Sequence, residues 1–271
     1  MLNSLYLLLY HGDLMEFSKL FKDSLKYPTQ NLHALIVFGI FFLLANLTSF
    51  YYKFTGKLDI GTVFILQIIA LVVWFFISGY LLSIIKSTVE GLDDVPDISL
   101  KNDAVVGIKS LVIVVVYSLL PGLIIGFILS GFGLIGFGDV SAIDIENIHG
   151  SLSHVVTTTG ILSVVIGALV SMVVLLIFSS LLLMAECSLA LTGKIKTGLN
   201  FKKAWKGVSA IGWGTFIIWD IILFLIVAIL ALISSLITQI PIVGIFIEYI
   251  IISPFIAMFV ARATGLMHLC E

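Results

Sequence analysis

Between Leu32 and Leu266 the chain passes through six apolar runs, at about Leu32–Tyr52, Ile60–Ile85, Ile108–Leu129, Ile161–Leu191, Ile211–Ile237 and Ile242–Leu266. Each reaches the roughly 20 residues that an α-helix needs to cross hydrocarbon. Each is apolar on every face, whereas the strands of a membrane β-barrel would alternate apolar and polar residues. Apolar residues make up 60% of the chain and charged residues 11%. A water-soluble domain is nearer half apolar and a quarter charged. There are too few charges here to coat a soluble core. The fold class expected is all-α, a polytopic membrane helical bundle of about six spans with interfacial amphipathic helices on the cytosolic side. The domains expected are an N-terminal segment over 1–30, a single six-span transmembrane domain over 31–266, and a short cytosolic tail over 267–271.

The segments between the runs carry the rest of the information. Residues 14–27 place Leu14, Phe17, Phe21 and Leu25 at helical spacing, with Glu16, Lys19, Lys22, Asp23 and Lys26 opposite. A helix of this kind lies in the headgroup plane. A polar turn from Lys53 to Asp59 joins the first two runs. The stretch from Ser78 to Pro121 closes one hairpin, follows the surface and opens the next, and Pro121-Gly122 is expected to kink the third span. Gly131 to Leu152 is glycine-rich and then acidic. Lys194 to Lys206 is basic and amphipathic, with Phe201 and Trp205. Gln239 to Pro241 is a tight turn.

Lysine and arginine set the orientation. With the N-terminus inside, the inner segments hold Lys19, Lys22, Lys26, Lys86, Lys101, Lys109, Lys194, Lys196, Lys202, Lys203, Lys206 and Arg262. The outer side holds Lys53 and Lys57. That asymmetry predicts an even number of spans in the cytoplasmic membrane, with both termini cytosolic. A coarse threefold repeat is also expected. Surface segments at 14–27, 92–107 and 198–207 precede the odd spans, and small-residue exits end the even spans at Gly91, Gly193 and Gly265.

Several classes of function drop out. A net charge of −2 offers no basic field to nucleic acid. Cys187 and Cys270 make no disulfide framework. The opening MLNSLYLLLY lacks a cationic start and a small-residue cleavage site, so it is not read as a signal peptide. Asn46-Leu-Thr48 matches a glycosylation sequon, but hydrocarbon hides it.

The run Asp23-Ser-Leu-Lys-Tyr-Pro28, the pair Gly79-Tyr80, Gly91-Leu-Asp-Asp-Val-Pro96, and Val106-Gly107-Ile-Lys109 with Tyr117 carry a resemblance. So do Pro241-Ile-Val-Gly244, Ser253-Pro254-Phe255 and Ala261-Arg262-Ala263-Thr264-Gly265. With these the chain resembles the prokaryotic, largely archaeal, multi-pass membrane family catalogued as domain of unknown function 4013. The resemblance covers nearly the whole chain after about Met15. It implies an integral membrane protein of several helices and assigns no activity. Residues 1–14 match nothing in the family, which leaves two candidate starts, Met1 and Met15.

The chemistry-bearing residues are few. Gly131-Phe-Gly133-Leu-Ile-Gly136 spells GxGxxG, but it follows a membrane span and lacks the strand–turn–helix setting of a dinucleotide site. His149 and His154 lie near Asp144 and Glu146 at a spacing that fits no standard metal site. There is no HExxH, CxxC or GxSxG. No catalytic, cofactor or metal residue is expected, and the protein is not read as an enzyme. Asp93, Asp94 and Asp97 read as a solvated linker broken by Pro96.

The ionisable residues within spans are Glu186, Asp220, Glu248 and Arg262. Asp220 lies nine residues past Ile211, about 13 Å deep at 1.5 Å per residue. A central acid opposes insertion by about 2.5–3.5 kcal/mol, against about −0.3 to −0.6 for each Leu, Ile, Phe or Val, so the span survives it. Such groups should face protein or water. Glu186 is the best partner for Arg262 by depth, and a proton or cation path through Asp220 and Glu248 is the functional alternative. Lys194, Lys196, Lys202, Lys203 and Lys206 are candidate contacts to anionic headgroups. The expected function is that of a carrier or permease-like protein for a small solute or lipid. The alternative is a non-catalytic scaffold or accessory subunit in envelope or lipid metabolism. Expected partners are membrane lipids, with a second copy or another membrane protein as further candidates.

Overall fold

The structure is a computed structural model and describes residues 14–57, 59–131, 161–240 and 242–269. Eleven α-helices and one π-helical turn follow one another among the described residues: α1 Leu14–Gln30, α2 Leu32–Ala45, α3 Leu47–Thr55, α4 Ile60–Val89, α5 Leu100–Gly131, α6 Ile161–Thr192, α7 Ile195–Gly198, α8 Phe201–Ile211, α9 Trp213–Ile237, α10 Val243–Ile247, the π turn Glu248–Ile252, and α11 Ser253–His268. Five stretches are long and apolar enough to cross a membrane: Ile60–Val89, Leu100–Ser130, Val165–Thr192, Trp213–Ile237 and Val243–His268. There are six if the bent pair Phe17–Gln30 and Leu32–Ala45 counts as one span. The chain divides into two compact units, Met1–Ile113 with Leu183–Glu271, and Val114–Leu182.

In the second unit the described residues are the end of α5 and the start of α6. Helix α5 runs unbroken through Pro121 and Gly122, so the residues expected to kink the span do not end the helix, although Pro121 supplies no N–H to its hydrogen-bond ladder. GxGxxG at 131–136, the acidic segment with His149 and His154, Pro241, Cys270 and the question of Met15 fall wholly or mostly outside the described residues.

The first unit departs from expectation at its first span. Leu32–Tyr52 is not one helix: the chain leaves helical geometry at Asn46, with φ −109° and ψ 21°, and divides into α2 and α3. The asparagine amide turns back to donate to the Phe42 carbonyl at 2.9 Å, competing with the backbone ladder. At the other end of α2 the Asn31 side chain accepts from the Ala34 N–H at 3.0 Å, a standard N-cap. There the chain bends by 84° from α1 into α2, as expected for a surface helix feeding a span.

Helix α1 is amphipathic, but protein covers its apolar side. Leu20, Phe21, Ser24 and Tyr27 are buried, while Phe17 and Leu25 are only partly covered. Phe21 lies 6.4 Å from the rings of both Trp219 on α9 and Phe259 on α11. The face that was expected to meet headgroups is therefore largely a packing face.

Three glycines let backbones touch. A Cβ at Gly79 of α4 would fall on the backbone of Asp103, and one at Gly107 of α5 would fall on the Phe75 carbonyl. A Cβ at Gly39 of α2 would fall on the Ile250 carbonyl. Small residues at such crossings are how membrane helices gain van der Waals contact where lipid offers no hydrophobic drive. Ile250 also stands four residues before Pro254, whose ring would clash with that carbonyl in a regular helix. The π turn Glu248–Ile252 absorbs this conflict, so the break expected at Pro254 is a local rewinding within one long span.

The expected repeat holds only in part. Gly91 and Gly193 end their helices with φ of 78° and 64°, the left-handed conformation that favours glycine. Gly265 is instead internal to α11 and presses against Thr88. The surface segment before α5 is irregular from Leu92 to Ser99, with a bend at Asp94, and helical only from Leu100.

Candidate functional site

One buried guanidinium gathers the end of the first unit where α1, α4 and α11 meet. Arg262 is 3% exposed. Its Nε donates to Asp23 Oδ2 at 3.0 Å, one terminal nitrogen donates to Asp93 Oδ1 at 2.8 Å, and the other donates to the Leu92 carbonyl at 2.9 Å and to Thr88 Oγ1 at 3.4 Å. The Tyr27 ring lies beneath it, 4.9 Å from its centroid to the guanidinium carbon. A planar fork with five donors suits this task, and a lysine could not fill it.

The expected Glu186–Arg262 pair is therefore corrected. Matching depth did not place the two on facing sides, and Glu186 accepts from Ser110 Oγ at 3.3 Å instead. Asp93 also proves to be more than solvated linker. The linker is stitched to the helices at further points, since the Tyr27 hydroxyl donates to the Asp94 carbonyl at 3.4 Å and the Tyr80 hydroxyl to the Pro96 carbonyl at 3.1 Å. Beyond it Asp103 accepts from Ser83 Oγ at 2.9 Å and from the Ser99 N–H at 2.8 Å, closing the first turn of α5. Lys109 donates to the Gly193 carbonyl at 2.8 Å, capping α6.

The other intramembrane acids stay apart. Glu248 accepts from Ser234 and from Ser253, the latter at 2.8 Å. Ser234 follows Asp220 by fourteen residues on α9, so Glu248 stands about 21 Å along the helix from Asp220. Asp220 is buried beside Trp219, which the Phe21 ring contacts, so it belongs to the end where Arg262 sits. It lies seven residues from the start of α9 at Trp213, about 10 Å in, shallower than the sequence suggested. The four expected site residues thus do not form one site.

The five lysines share one surface segment. Lys194 caps the start of α7, Lys196 lies within it, and both are exposed; Lys202, Lys203 and Lys206 are exposed on α8, whose Ala204, Gly207 and Val208 are buried. Asn200 caps α8 by accepting from the Lys203 N–H at 3.1 Å. The Trp205 ring lies 4.6 Å from that of Trp213 at the start of α9, an aromatic pair of the kind that anchors at a membrane interface.

A polar opening lies where the first span breaks. A half-open cavity of about 450 Å³ is lined by Ala45, Asn46, Thr48, Ser49, Gln67, Ala70, Leu71 and Trp74. A second, of about 230 Å³, is lined by Ser49, Lys53, Thr238, Ile245 and Tyr249. Neither is lined by Asp220 or Glu248. The available signals in the sequence were an asparagine inside one span and a glutamine inside the next, but neither says that the helix opens between them. Among the described residues no three His, Cys, Asp or Glu side chains cluster as metal ligands.

The long apolar helices and the glycine crossings define a polytopic α-helical integral membrane protein. Residues 62–239 match the family described as "Protein of unknown function (DUF4013)", and the chain belongs to that family. The match is narrower than the resemblance read after Met15: Asp23 to Pro28 and the stretch from Pro241 to Gly265 lie outside it. No curated protein and no solved structure matches the chain.

Proposed function

We propose that this protein is a non-enzymatic carrier or permease-like protein for a small solute or lipid, set in the cytoplasmic membrane with both termini cytosolic. The observation that supports this reading is the break at Asn46, which opens onto the cavity lined by Asn46, Thr48, Ser49 and Gln67. Interrupted helices facing a cavity within the membrane are how many carriers build their sites, since irregular backbone is tolerated there only where it lines a cavity or is buried in protein. The site of the reading therefore moves from Asp220 and Glu248 to Asn46 and Gln67. The orientation rests on the excess of lysine in the segments assigned to the inside.

The test is reconstitution of the full chain into vesicles, with two measurements. One is loss of a panel of entrapped small solutes, followed by mass spectrometry. The other is transbilayer movement of a fluorescent phospholipid, followed by quenching with dithionite. Protein-containing vesicles that match empty ones in both would sink the reading. The scaffold reading is favoured by one feature, the exposed basic face of α8 with its Trp205–Trp213 pair, which would hold a membrane protein against anionic headgroups. Co-purification of a stoichiometric protein partner, with no movement of solute or lipid, would decide for it.

A further inference from the structure

We infer that the two cavities form one site for a glycerophospholipid, with its ester groups at the neutral floor and its phosphate at Lys53. The inference rests on the carrier reading only for what the site is used for; the binding stands or falls separately.

Three observations lead to this ligand. The larger cavity is lined by neutral hydrogen-bonding groups, Asn46, Thr48, Ser49 and Gln67, and by no ionisable side chain. A desolvated ion would find no counter-charge there, whereas an ester or hydroxyl finds donors and acceptors. Asn46 uses one N–H on Phe42, leaving its carbonyl oxygen and second N–H. Thr48 Oγ1 is sealed from solvent and out of a ligand's reach, so the donors and acceptors offered are those of Asn46, Ser49 and Gln67.

The opening is lateral. Trp74 lines the cavity and is exposed halfway along α4, the level at which the surface of a span meets hydrocarbon. An amphiphile in the bilayer already has its chains at that level.

The two cavities share Ser49. Lys53 stands one helical turn further along α3, about 6 Å away along its axis and toward the polar turn. Its ammonium gives one hydrogen bond, to the Thr238 carbonyl at 3.2 Å, and carries three donors. A cation one turn above a neutral polar floor matches a phosphate placed one headgroup above glycerol esters.

The full chain in lipid nanodiscs, examined by native mass spectrometry with phosphatidylglycerol and chain-matched diacylglycerol, tests this. The protein should keep one phosphatidylglycerol at collision energies that strip the surrounding lipid, and should keep diacylglycerol less. Gln67→Leu should reduce that retention roughly fivefold, the loss expected for one hydrogen bond. Lys53→Met should abolish the preference for phosphatidylglycerol while leaving some retention of either lipid. Equal retention of the two lipids by the unaltered protein would overturn the proposal, and that measurement needs no variant. So would unchanged retention by a Gln67→Leu protein of unaltered helix content, or equally tight binding of water-soluble glycerol 3-phosphate. Retained lipid without transbilayer movement would remove the carrier reading and keep the site; movement without retained lipid would do the reverse.

Discussion

Arg262 and Asp93 meet at 2.8 Å, although the arginine side chain is 3% exposed and the aspartate 87%. The pair is a buried cation held by a carboxylate that remains largely in water, and Asp23, 45% exposed, holds it from the other side. Water screens each acid, so either alone should matter little, while the arginine has no such alternative. Asp93→Ala should lower stability by less than about 1 kcal/mol. Removing Asp23 and Asp93 together strands the guanidinium and should cost about 3 kcal/mol or more. Thermal unfolding of both single variants and the double variant in detergent gives the coupling; strict additivity would show that the two acids do not share the arginine.

The glycine crossings give a second, sharper contrast. Gly79→Ala would drive a methyl into the Asp103 backbone and should cost about 1–3 kcal/mol as α4 and α5 are forced apart. Gly122→Ala meets nothing within 4 Å and should be neutral or stabilising by about 0.5–1 kcal/mol through helix propensity. Equal unfolding temperatures for the two variants would refute the close approach.

Asp59 should make the start of α4 sensitive to acid. It accepts from the Thr62 N–H and from the Thr62 hydroxyl, each at 2.8 Å, and the backbone bond first, then the hydroxyl, holds its carboxyl below the usual aspartate range. A depressed value in the folded state means that the cap's contribution is complete above about pH 4, the ordinary aspartate value, and fades as pH falls through the lower folded value. Amide exchange at Thr62 should accelerate beyond its intrinsic pH trend only below that point. Asp59→Asn should retain the cap and lose the pH dependence; a pH dependence that persists in Asp59→Asn would assign it elsewhere.

Asp220→Asn separates the two carrier sites that the protein could offer. Asp220 lines neither cavity and lies about 21 Å along the helix from the partner of Glu248. Movement of solute or lipid across vesicles should be unchanged in Asp220→Asn and reduced in Gln67→Leu. The opposite pattern would return the site to the buried acids.

Much of the fold was legible in the sequence because hydrocarbon imposes a simple rule. The stretches after Ile60, Ile161 and Ile211 are apolar but for isolated polar residues, and they are helices close to where that pattern puts them. Asn46 was visible inside a span, but whether an asparagine bends outward, pairs with a neighbour or ends a helix depends on what packs beside it. The partners of Arg262 were out of reach for the same reason. Depth can be counted along a helix, and it pointed to Glu186; the direction around the axis is set by packing, and it brought in Asp23, 239 residues away in the chain. The family resemblance had gathered Asp23, Tyr27, Asp93 and Arg262 as separate short motifs. Only the folded chain shows that they belong to one cluster.

That cluster has a practical corollary for dissecting the family. The segment matched by the family runs from residue 62 to 239 and holds Thr88, Leu92 and Asp93, but the arginine that they receive and the aspartate opposite lie beyond its two ends. Excising that segment would leave an acidic loop without its cation and strip the covering from the end of α4. The stretch that packs together is therefore longer than the one that sequence comparison recognises, and expression trials should be cut accordingly.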